Sequence, residues 1–178
     1  MRFLLIYPPP ESFFIRSAHI FYGLSPPLGL LYVATMLQND GDSVQVLDFS
    51  AESYDEQKLI TAVQQADVIG MSVLSSSLTE VKKLIQLIKQ HEPDLPVIIG
   101  GPHCTLLPEK SLEETEATIG VQGDCETLLT DLKKALNNEK DFSEIPGVFH
   151  QSIHGIKHGP APQLMKDLDI IPFPARQL

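Results

Sequence analysis

Two adjacent glycines and a histidine follow a short apolar run in the middle of the chain. The run covers residues 97–99 and leads directly into Gly100, Gly101, Pro102 and His103. Glycine lets a backbone turn sharply or come close to a ligand, and proline ends further strand pairing. Imidazole can bind a metal or form a hydrogen bond. We interpret the stretch as a ligand-binding loop after a buried strand, with a tight turn between strand and helix as the alternative.

Two further loops carry polar or flexible residues after apolar runs, at residues 72–77 and 122–126. Hydroxyl groups could meet a polar tail of a ligand, and a glycine would let a bulky group pass close to the backbone. Capping of the next helix by Ser77 or Thr79 would explain one or two of the hydroxyls without any ligand. The candidate residues in these loops are Ser72, Ser75, Ser76, Gly123 and Glu126.

The residue types argue against three common functions of such loops: binding a flavin phosphate, binding a dinucleotide, and accepting a phosphoryl group. A flavin phosphate needs N–H and hydroxyl donors after the first strand, where this chain has Pro8, Pro9 and Pro10. A G-x-G-x-x-G dinucleotide fingerprint is absent there. The positions where a phospho-receiver carries its acidic residues are Tyr7 and Ser72. His103 with the two cysteines, Cys104 and Cys125, matches no zinc spacing, so no residue is predicted to bind a metal.

The elements that position these loops alternate regularly between strand and helix. Alternation at this spacing predicts parallel strands joined by right-handed crossovers, with helices on both faces. We predict an α/β fold with a five-stranded parallel doubly wound sheet, flavodoxin-like or Rossmann-like, in the order 2-1-3-4-5, so that all the loops after the strands lie at one edge. The fifth strand is weak and could be an edge strand. The predicted strands cover residues 3–7, 44–47, 68–74, 97–99 and 117–121.

Helix boundaries follow from capping residues. Ser25 before Pro26 and Pro27 predicts the start of an almost wholly apolar first helix. Asp55 and Asp124 are predicted to cap two later helices. The long first loop, residues 8–26, carries four aromatic residues, and it could be a lid, a docking surface or part of the core.

The regular alternation of strand and helix patterns ends at about residue 140. We predict an α/β domain over residues 1–140, a β-hairpin extension over residues 141–160 with Gly155 in its turn, and a proline-rich linker over residues 161–178. An apolar, proline-rich end of this kind is unusual for a domain. We therefore expect the chain to be the front part of a longer protein.

The charge balance argues against partners that need a basic surface. The net charge of −10 argues against nucleic acid, and no apolar run is long enough to span a membrane. No export signal precedes the first strand, so the two cysteines are expected to be reduced and the protein to be cytoplasmic.

Six short motifs, in order along the chain, resemble the N-terminal cobalamin (vitamin B12)-binding domain of radical S-adenosylmethionine enzymes. This family includes the anaerobic Mg-protoporphyrin IX monomethyl ester cyclase and cobalamin-dependent methyltransferases. The motifs lie at residues 26–29, 47–48, 70–74, 99–103, 121–126 and 167–176.

The resemblance implies a set of cofactor contacts. Ser72 and Leu74 match the S-x-L pair that lines the nucleotide tail of cobalamin, and Gly100 and Gly101 match the double glycine beside that tail. Asp48 matches the end of the family's second strand. Pro102 and His103 are expected to border the corrin, His103 through a hydrogen bond and not as a metal ligand.

One departure from the pattern bears on the cobalt. Classical cobalamin domains carry D-x-H-x-x-G after the first strand, and its histidine binds cobalt from below. This chain has Pro9 and Pro10 in that loop. We therefore predict base-off cobalamin with no histidine ligand from the first-strand loop, and a lower cobalt face that is open or filled by a non-ligating side chain.

The resemblance also implies a larger enzyme. The family's barrel domain holds a [4Fe-4S] cluster through C-x-x-x-C-x-x-C and binds S-adenosylmethionine, and this chain has no such motif. The domain is expected to present the corrinoid to that barrel, which acts on a small-molecule substrate by methyl transfer or oxidative cyclisation. The alternative is a cofactor-free flavodoxin-like sensing or docking module.

Overall fold

A single mixed β-sheet of seven strands organises the chain. The computed structural model describes residues 1–9 and 25–178, so Pro10 and most of the predicted aromatic loop lie outside the described residues. Within the described residues the strand order is β2-β1-β3-β4-β5-β6-β7. The strands are β1 (Arg2–Tyr7), β2 (Ser43–Asp48), β3 (Val68–Ser72), β4 (Val97–Gly100), β5 (Ile119–Val121), β6 (Val148–Ser152) and β7 (Gly155–His158).

Six α-helices of the described chain cover the two faces of the sheet. Three short 3-10 turns accompany them at Ser75–Ser77, Glu126–Leu128 and Phe142–Glu144. The helices are α1 (Leu28–Asn39), α2 (Glu56–Val63), α3 (Leu78–His91), α4 (Pro102–Leu106), α5 (Pro108–Thr115) and α6 (Leu129–Leu136).

The parallel part of the sheet has the predicted order. Strands β1 to β5 pair in parallel as 2-1-3-4-5, because the alternating strand and helix pattern forces a crossover between neighbours. The loops that follow these strands therefore lie together at the carboxyl edge of the sheet.

The predicted five-stranded sheet with a separate hairpin is wrong in one respect. Strands β6 and β7 continue the same sheet in antiparallel fashion, so β5 is an interior strand and not an edge. Gly120 of β5 lies opposite Phe149 of β6, and a Cβ on Gly120 would come within 2.2 Å of the phenyl ring. The missing side chain lets the buried Phe149 ring lie flat across β5, which joins the hairpin to the domain.

Several predicted element ends also differ from the structure. The third strand ends at Ser72 and not at residue 74, because Ser77 Oγ accepts a hydrogen bond from the Leu74 N–H (3.1 Å) and starts a 3-10 turn. Strand β5 begins at Ile119.

Two of the three predicted caps are wrong. Asp55 caps α2 by accepting a hydrogen bond from the Lys58 N–H at 3.0 Å, as predicted. Helix α1 begins after Pro27 without a side-chain cap, and α6 begins at Leu129, after a 3-10 turn that separates it from Asp124.

The two faces of the sheet pack different helices. One face packs against α2, α3 and α5 and forms the larger core, which contains Cys104. The other face packs against α1 and α6 in smaller clusters, around Leu5, around Val68 and around Val121.

The C-terminal segment, residues 161–178, has no regular secondary structure but lies on α1. Ala175 is buried, and its N–H donates to the carbonyl of Leu31 at 3.2 Å. The Thr35 hydroxyl donates to the carbonyl of Phe173 at 2.9 Å. Five large apolar side chains of this segment remain exposed to solvent: Leu164, Leu168, Ile170, Phe173 and Leu178.

Candidate functional site

A cavity of about 210 Å³ lies between the sheet and the helices α1 and α6. We call it the slot. It runs from the carboxyl edge of β3, β4 and β5 toward the amino-terminal ends of β1 and β3. Its walls are mostly aliphatic: Leu30, Val33 and Leu37 of α1, Leu129 and Leu132 of α6, and Phe3, Leu5, Val68, Ile98 and Val121 of the sheet.

Five of the predicted site residues line the slot near the carboxyl edge. They lie at the carboxyl ends of β3 and β4 and in the segments that follow β4 and β5, which the fold brings together at that edge. These residues are Ser72, Gly100, Gly101, Gly123 and Glu126.

Gly101 has a backbone conformation that other residues rarely adopt, with φ +97° and ψ −172°. A Cβ at this position would lie 3.0 Å from Ser72 Oγ and 3.2 Å from the backbone of Val73. The absent side chain thus lets the fourth loop approach the end of β3 closely. Among the described residues, no group forms a hydrogen bond with the Ser72 hydroxyl, which is therefore available to a ligand.

The fourth and fifth loops are tied together across the carboxyl edge. The Gly123 N–H donates to Thr105 Oγ1 at 3.0 Å, and Gln122 Nε2 donates to the carbonyl of Thr105 at 3.0 Å. Gly123 has φ +78°, a value that favours glycine. These hydrogen bonds fix the positions of the two glycine-containing loops relative to each other.

An ion-pair cluster lies next to the slot, at the residue Lys133 of α6. Lys133 lines the slot with its side chain, while its ammonium group pairs with Asp40 and, at 2.8 Å, with Asp42. Burial opposes ionisation of Asp42, but its hydrogen bonds to Lys133 and to the Met1 amino group lower its pKa overall. The lysine charge is thus satisfied outside the slot.

Two groups beside the slot mouth are held in their neutral forms more readily than usual. Burial, followed by the repulsion from Asp124, raises the pKa of the Glu126 carboxyl. Burial, with a smaller effect of Glu126, raises the pKa of the Cys125 thiol to about 12. A thiol of that pKa is protonated at neutral pH and is a poor nucleophile.

His103 lies outside the lining of the slot. Its side chain is buried on the short helix α4, and Nδ1 is 2.9 Å from the hydroxyl oxygen of Ser75. Nε2 is buried without a partner among the described residues. His103 therefore positions the loop after β3 through Ser75 in this structure.

The remaining predicted residues are distributed around the same edge. Leu74, Ser76 and Pro102 belong to the third and fourth loops but do not line the slot. Asp48 accepts hydrogen bonds from the N–H and the hydroxyl of Ser50, at 2.9 and 2.6 Å. Pro9 lines a separate cavity with Tyr54 and Leu84.

The structure does not bring the two cysteines together. Cys104 belongs to the core on the α2 and α3 face, whereas Cys125 packs on the opposite face near α6. Among residues 1–9 and 25–178 no group of three or more metal-ligating side chains is close enough to hold an ion.

Sequence reasoning missed the walls of the slot. The apolar sequence of α1 does not indicate that Leu30, Val33 and Leu37 border a cavity. Gly70, inside β3, also lines the slot, and a Cβ there would lie 2.7 Å from Leu5 Cδ2. A glycine inside a strand often marks a place where a group comes close, and this signal could have indicated the slot.

Known proteins resemble this chain along most of its length. An uncharacterized methyltransferase of Pyrococcus horikoshii, PH0819, is 27% identical over 181 residues, covering 100% of this chain and 39% of that protein. The anaerobic magnesium-protoporphyrin IX monomethyl ester cyclase of Synechocystis sp. is 28% identical over 176 residues, covering 96% of this chain and 34% of that protein. The chain thus spans less than two fifths of either relative.

Solved structures share the fold. The cobalamin-dependent S-adenosylmethionine radical enzyme OxsB, with aqua-cobalamin and S-adenosylmethionine bound, superposes with a TM-score of 0.79 at 20% identity, over 98% of this chain and 24% of that one. The radical S-adenosylmethionine methyltransferase TsrM from Kitasatospora setae, with cobalamin and a [4Fe-4S] cluster bound, superposes with a TM-score of 0.71 at 21% identity. This match covers 97% of this chain and 31% of that one. None of the helices in the described chain has the length and apolar character needed to cross a membrane.

A family model decides the assignment. The model of the B12 binding domain matches residues 19–133, which is more than half of the chain. That range contains the three loops at the carboxyl edge and all of α1, and therefore most of the slot. The chain belongs to the B12-binding domain family.

Proposed function

We propose that this domain binds cobalamin with its lower base detached from cobalt, and presents the corrin ring to a radical S-adenosylmethionine barrel of the same parent chain. The slot is the observation that carries the proposal. It offers an apolar space behind the carboxyl edge, where a displaced nucleotide tail would be buried.

The size and chemistry of the slot fit a heteroaromatic base. An apolar cavity of about 150 Å³ is large enough for benzene, and the slot measures about 210 Å³. The Ser72 hydroxyl could bond to a ring nitrogen of the base, and Gly101 would let the tail pass close to the backbone.

The first and fourth loops support the absence of a histidine ligand to cobalt. Pro8 and Pro9 follow β1 and carry no imidazole. The imidazole of His103 is buried and held by Ser75. A bound cobalamin would supply a cobalt centre that can carry a methyl group, while this chain binds the tail, orients the ring and excludes water from the base.

The C-terminal segment supports presentation to a further domain. It lines a second cavity, of about 350 Å³, together with Asp124 and Glu126, which also belong to the mouth of the slot. Leu168 and Phe173 of the segment are exposed and line this second cavity beside the mouth of the slot. Clustered exposed apolar side chains are typical of a surface that another domain covers.

Cofactor binding is tested by titrating the purified chain with hydroxocobalamin, followed by absorbance and gel filtration. We expect one corrinoid per chain, and weaker binding by the Ser72→Ala variant than by the matched control Ser76→Ala, which changes an exposed hydroxyl outside the slot. A chain that stays colourless under all conditions would overturn the proposal and favour the cofactor-free module.

The base-off state and the barrel need separate tests. Electron paramagnetic resonance of the cob(II)alamin complex should lack the splitting that an axial nitrogen produces, and its presence would contradict the detached base. The parent gene beyond Leu178 should encode C-x-x-x-C-x-x-C, and its absence would overturn presentation to a radical barrel. Methyl transfer and cyclisation are distinguished by assaying the parent protein with its substrate.

A further inference from the structure

We propose that the slot selects corrinoids by their lower base, and that it binds benzimidazole-containing cobamides in preference to adenine-containing ones. The inference rests on the proposed function, because it requires the detached base to enter the slot. It adds a specificity that follows from the side chains of this chain.

The aliphatic walls of the slot come from the helices α1 and α6 and from the sheet. Leu30, Val33 and Leu37 form the α1 wall, Val68 and Ile98 form the sheet wall, and Leu129 forms the α6 wall. The backbone groups of Val33, Leu37, Val68 and Ile98 lie in the interior of α1 or in paired strands, where helix and sheet hydrogen bonds engage them, whereas Leu30 and Leu129 lie in the first turns of their helices. A base in this region would therefore find few partners for polar atoms.

The polar side chains of the slot lie at the carboxyl edge and at Lys133 of α6. Ser72, Asp124 and Glu126 lie at the carboxyl edge, where the slot opens. The Lys133 ammonium is already paired with Asp40 and Asp42. Within the described residues, the uncharged polar side-chain groups of the slot are thus the Ser72 hydroxyl and the Cys125 thiol, and a thiol forms only weak hydrogen bonds.

The hydrogen-bonding atoms of the two bases differ in number. A benzimidazole that has left cobalt exposes a single ring nitrogen with a lone pair, which one hydroxyl can satisfy. Adenine adds further ring nitrogens and an amino group, and each of these would lose its water on entering the slot. Burial of an unpaired polar group is unfavourable, so we expect the adenine form to bind at least about tenfold more weakly.

The test is a competition among three corrinoids on the purified chain. Affinities are measured by absorbance titration for cobalamin, for the cobamide with adenine as its lower base, and for cobinamide, which lacks the nucleotide. We expect cobalamin to bind most tightly, and both of the others to be at least about tenfold weaker.

The other outcomes separate the two proposals. Equal affinity for both cobamides, or a preference for adenine, would overturn base selection and leave the proposed function standing. Cobinamide binding as tightly as cobalamin would overturn both base selection and the buried tail. Failure of all three corrinoids to bind would overturn the proposed function and this inference with it.

A valine-to-threonine change inside the slot probes the same point with little change of volume. The Val33→Thr hydroxyl can donate to the carbonyl one turn back and still accept from an adenine amino group. We expect it to reduce the preference for cobalamin by severalfold. Val44→Thr is the matched control, because Val44 is half-buried against the same region without lining the slot. An unchanged preference in Val33→Thr, or an equal change in both variants, would contradict the inference.

Discussion

Gly101 combines a glycine-only backbone conformation with the closest packing at the slot mouth. Its φ is +97°, and a Cβ would meet Ser72 Oγ at 3.0 Å. We expect Gly101→Ala to destabilise the fold by about 1–3 kcal/mol through backbone strain, and by more through the contacts with β3. Cobalamin affinity should fall as well, because Ser72 is displaced. Urea denaturation and absorbance titration measure the two effects.

Gly155 supplies the control for this prediction. Its φ is +103°, but a Cβ there would have open space around it. Gly155→Ala should therefore show strain alone and leave cobalamin affinity unchanged. Equal losses of stability and affinity in both variants would show that the slot mouth does not require a glycine for close packing.

Ser75 provides the hydrogen bond of the buried His103 imidazole. Because Nε2 has no partner in the described chain, Ser75→Ala would leave both ring nitrogens unpaired. We expect a loss of about 1–3 kcal/mol in the free energy of unfolding. Chemical denaturation checks this, with the neighbouring exposed Ser76→Ala as the control. Equal stability of the two variants would mean that the Ser75 bond contributes nothing.

Residue types predicted part of the candidate site. Glycines and hydroxyls after three strands pointed to the carboxyl edge, and five of those residues line one cavity. Imidazole often binds ligands, but the His103 side chain contacts Ser75 and lies outside the lining of the slot. The direction of a side chain depends on the packing of α4 against the loop after β3, which a local pattern does not contain.

Among the elements, helix α1 has an apolar composition that follows from its surroundings. Its apolar residues surround the helix because it packs on the sheet, borders the slot and contacts the C-terminal segment. Leu30 and Leu37 face the slot, while Leu31 and Thr35 accept or donate the hydrogen bonds to the C-terminal segment. A helix that is apolar all round is typical of a buried helix, but the pattern does not reveal that one of its faces borders a cavity.

One aromatic side chain of strand β6 packs directly on the neighbouring strand β5. Phe149 is fully buried and lies over Gly120. We expect Phe149→Ala to destabilise the fold by about 3–5 kcal/mol, because it removes a ring from the core and leaves a cavity. Urea denaturation provides the measurement.

The matched control for Phe149 is Phe173→Ala. Phe173 is 95% exposed, so its removal should change stability little. If both phenylalanine variants unfolded at the same urea concentration, the hairpin would not be an integral part of the sheet.

At the scale of the whole molecule, ligand binding should stabilise the fold by mass action. A ligand that binds only the native state at 100 times its Kd adds about 2.7 kcal/mol to the free energy of unfolding. We expect hydroxocobalamin to raise stability by this amount, and each further tenfold increase in concentration to add about 1.4 kcal/mol. Urea melts at several cobalamin concentrations check the slope, and a flat response would contradict binding to the native fold.

The parallel order of the first five strands, and the edge at which their loops meet, could be predicted from the sequence. Both follow from local periodicity and from the right-handed crossover, which depend only on short stretches of chain. Short motifs also indicated a cobalamin-binding domain, and the family match over residues 19–133 confirmed it.

The tertiary structure alone decided the slot and the extension of the sheet. The slot exists because α1 and α6 leave space over Gly70 and Ile98, and these elements are far apart in sequence. The hairpin joins the sheet because Phe149 fits the missing side chain of Gly120. Both are contacts between distant residues, and their shapes become defined only when the complete backbone brings the two surfaces together.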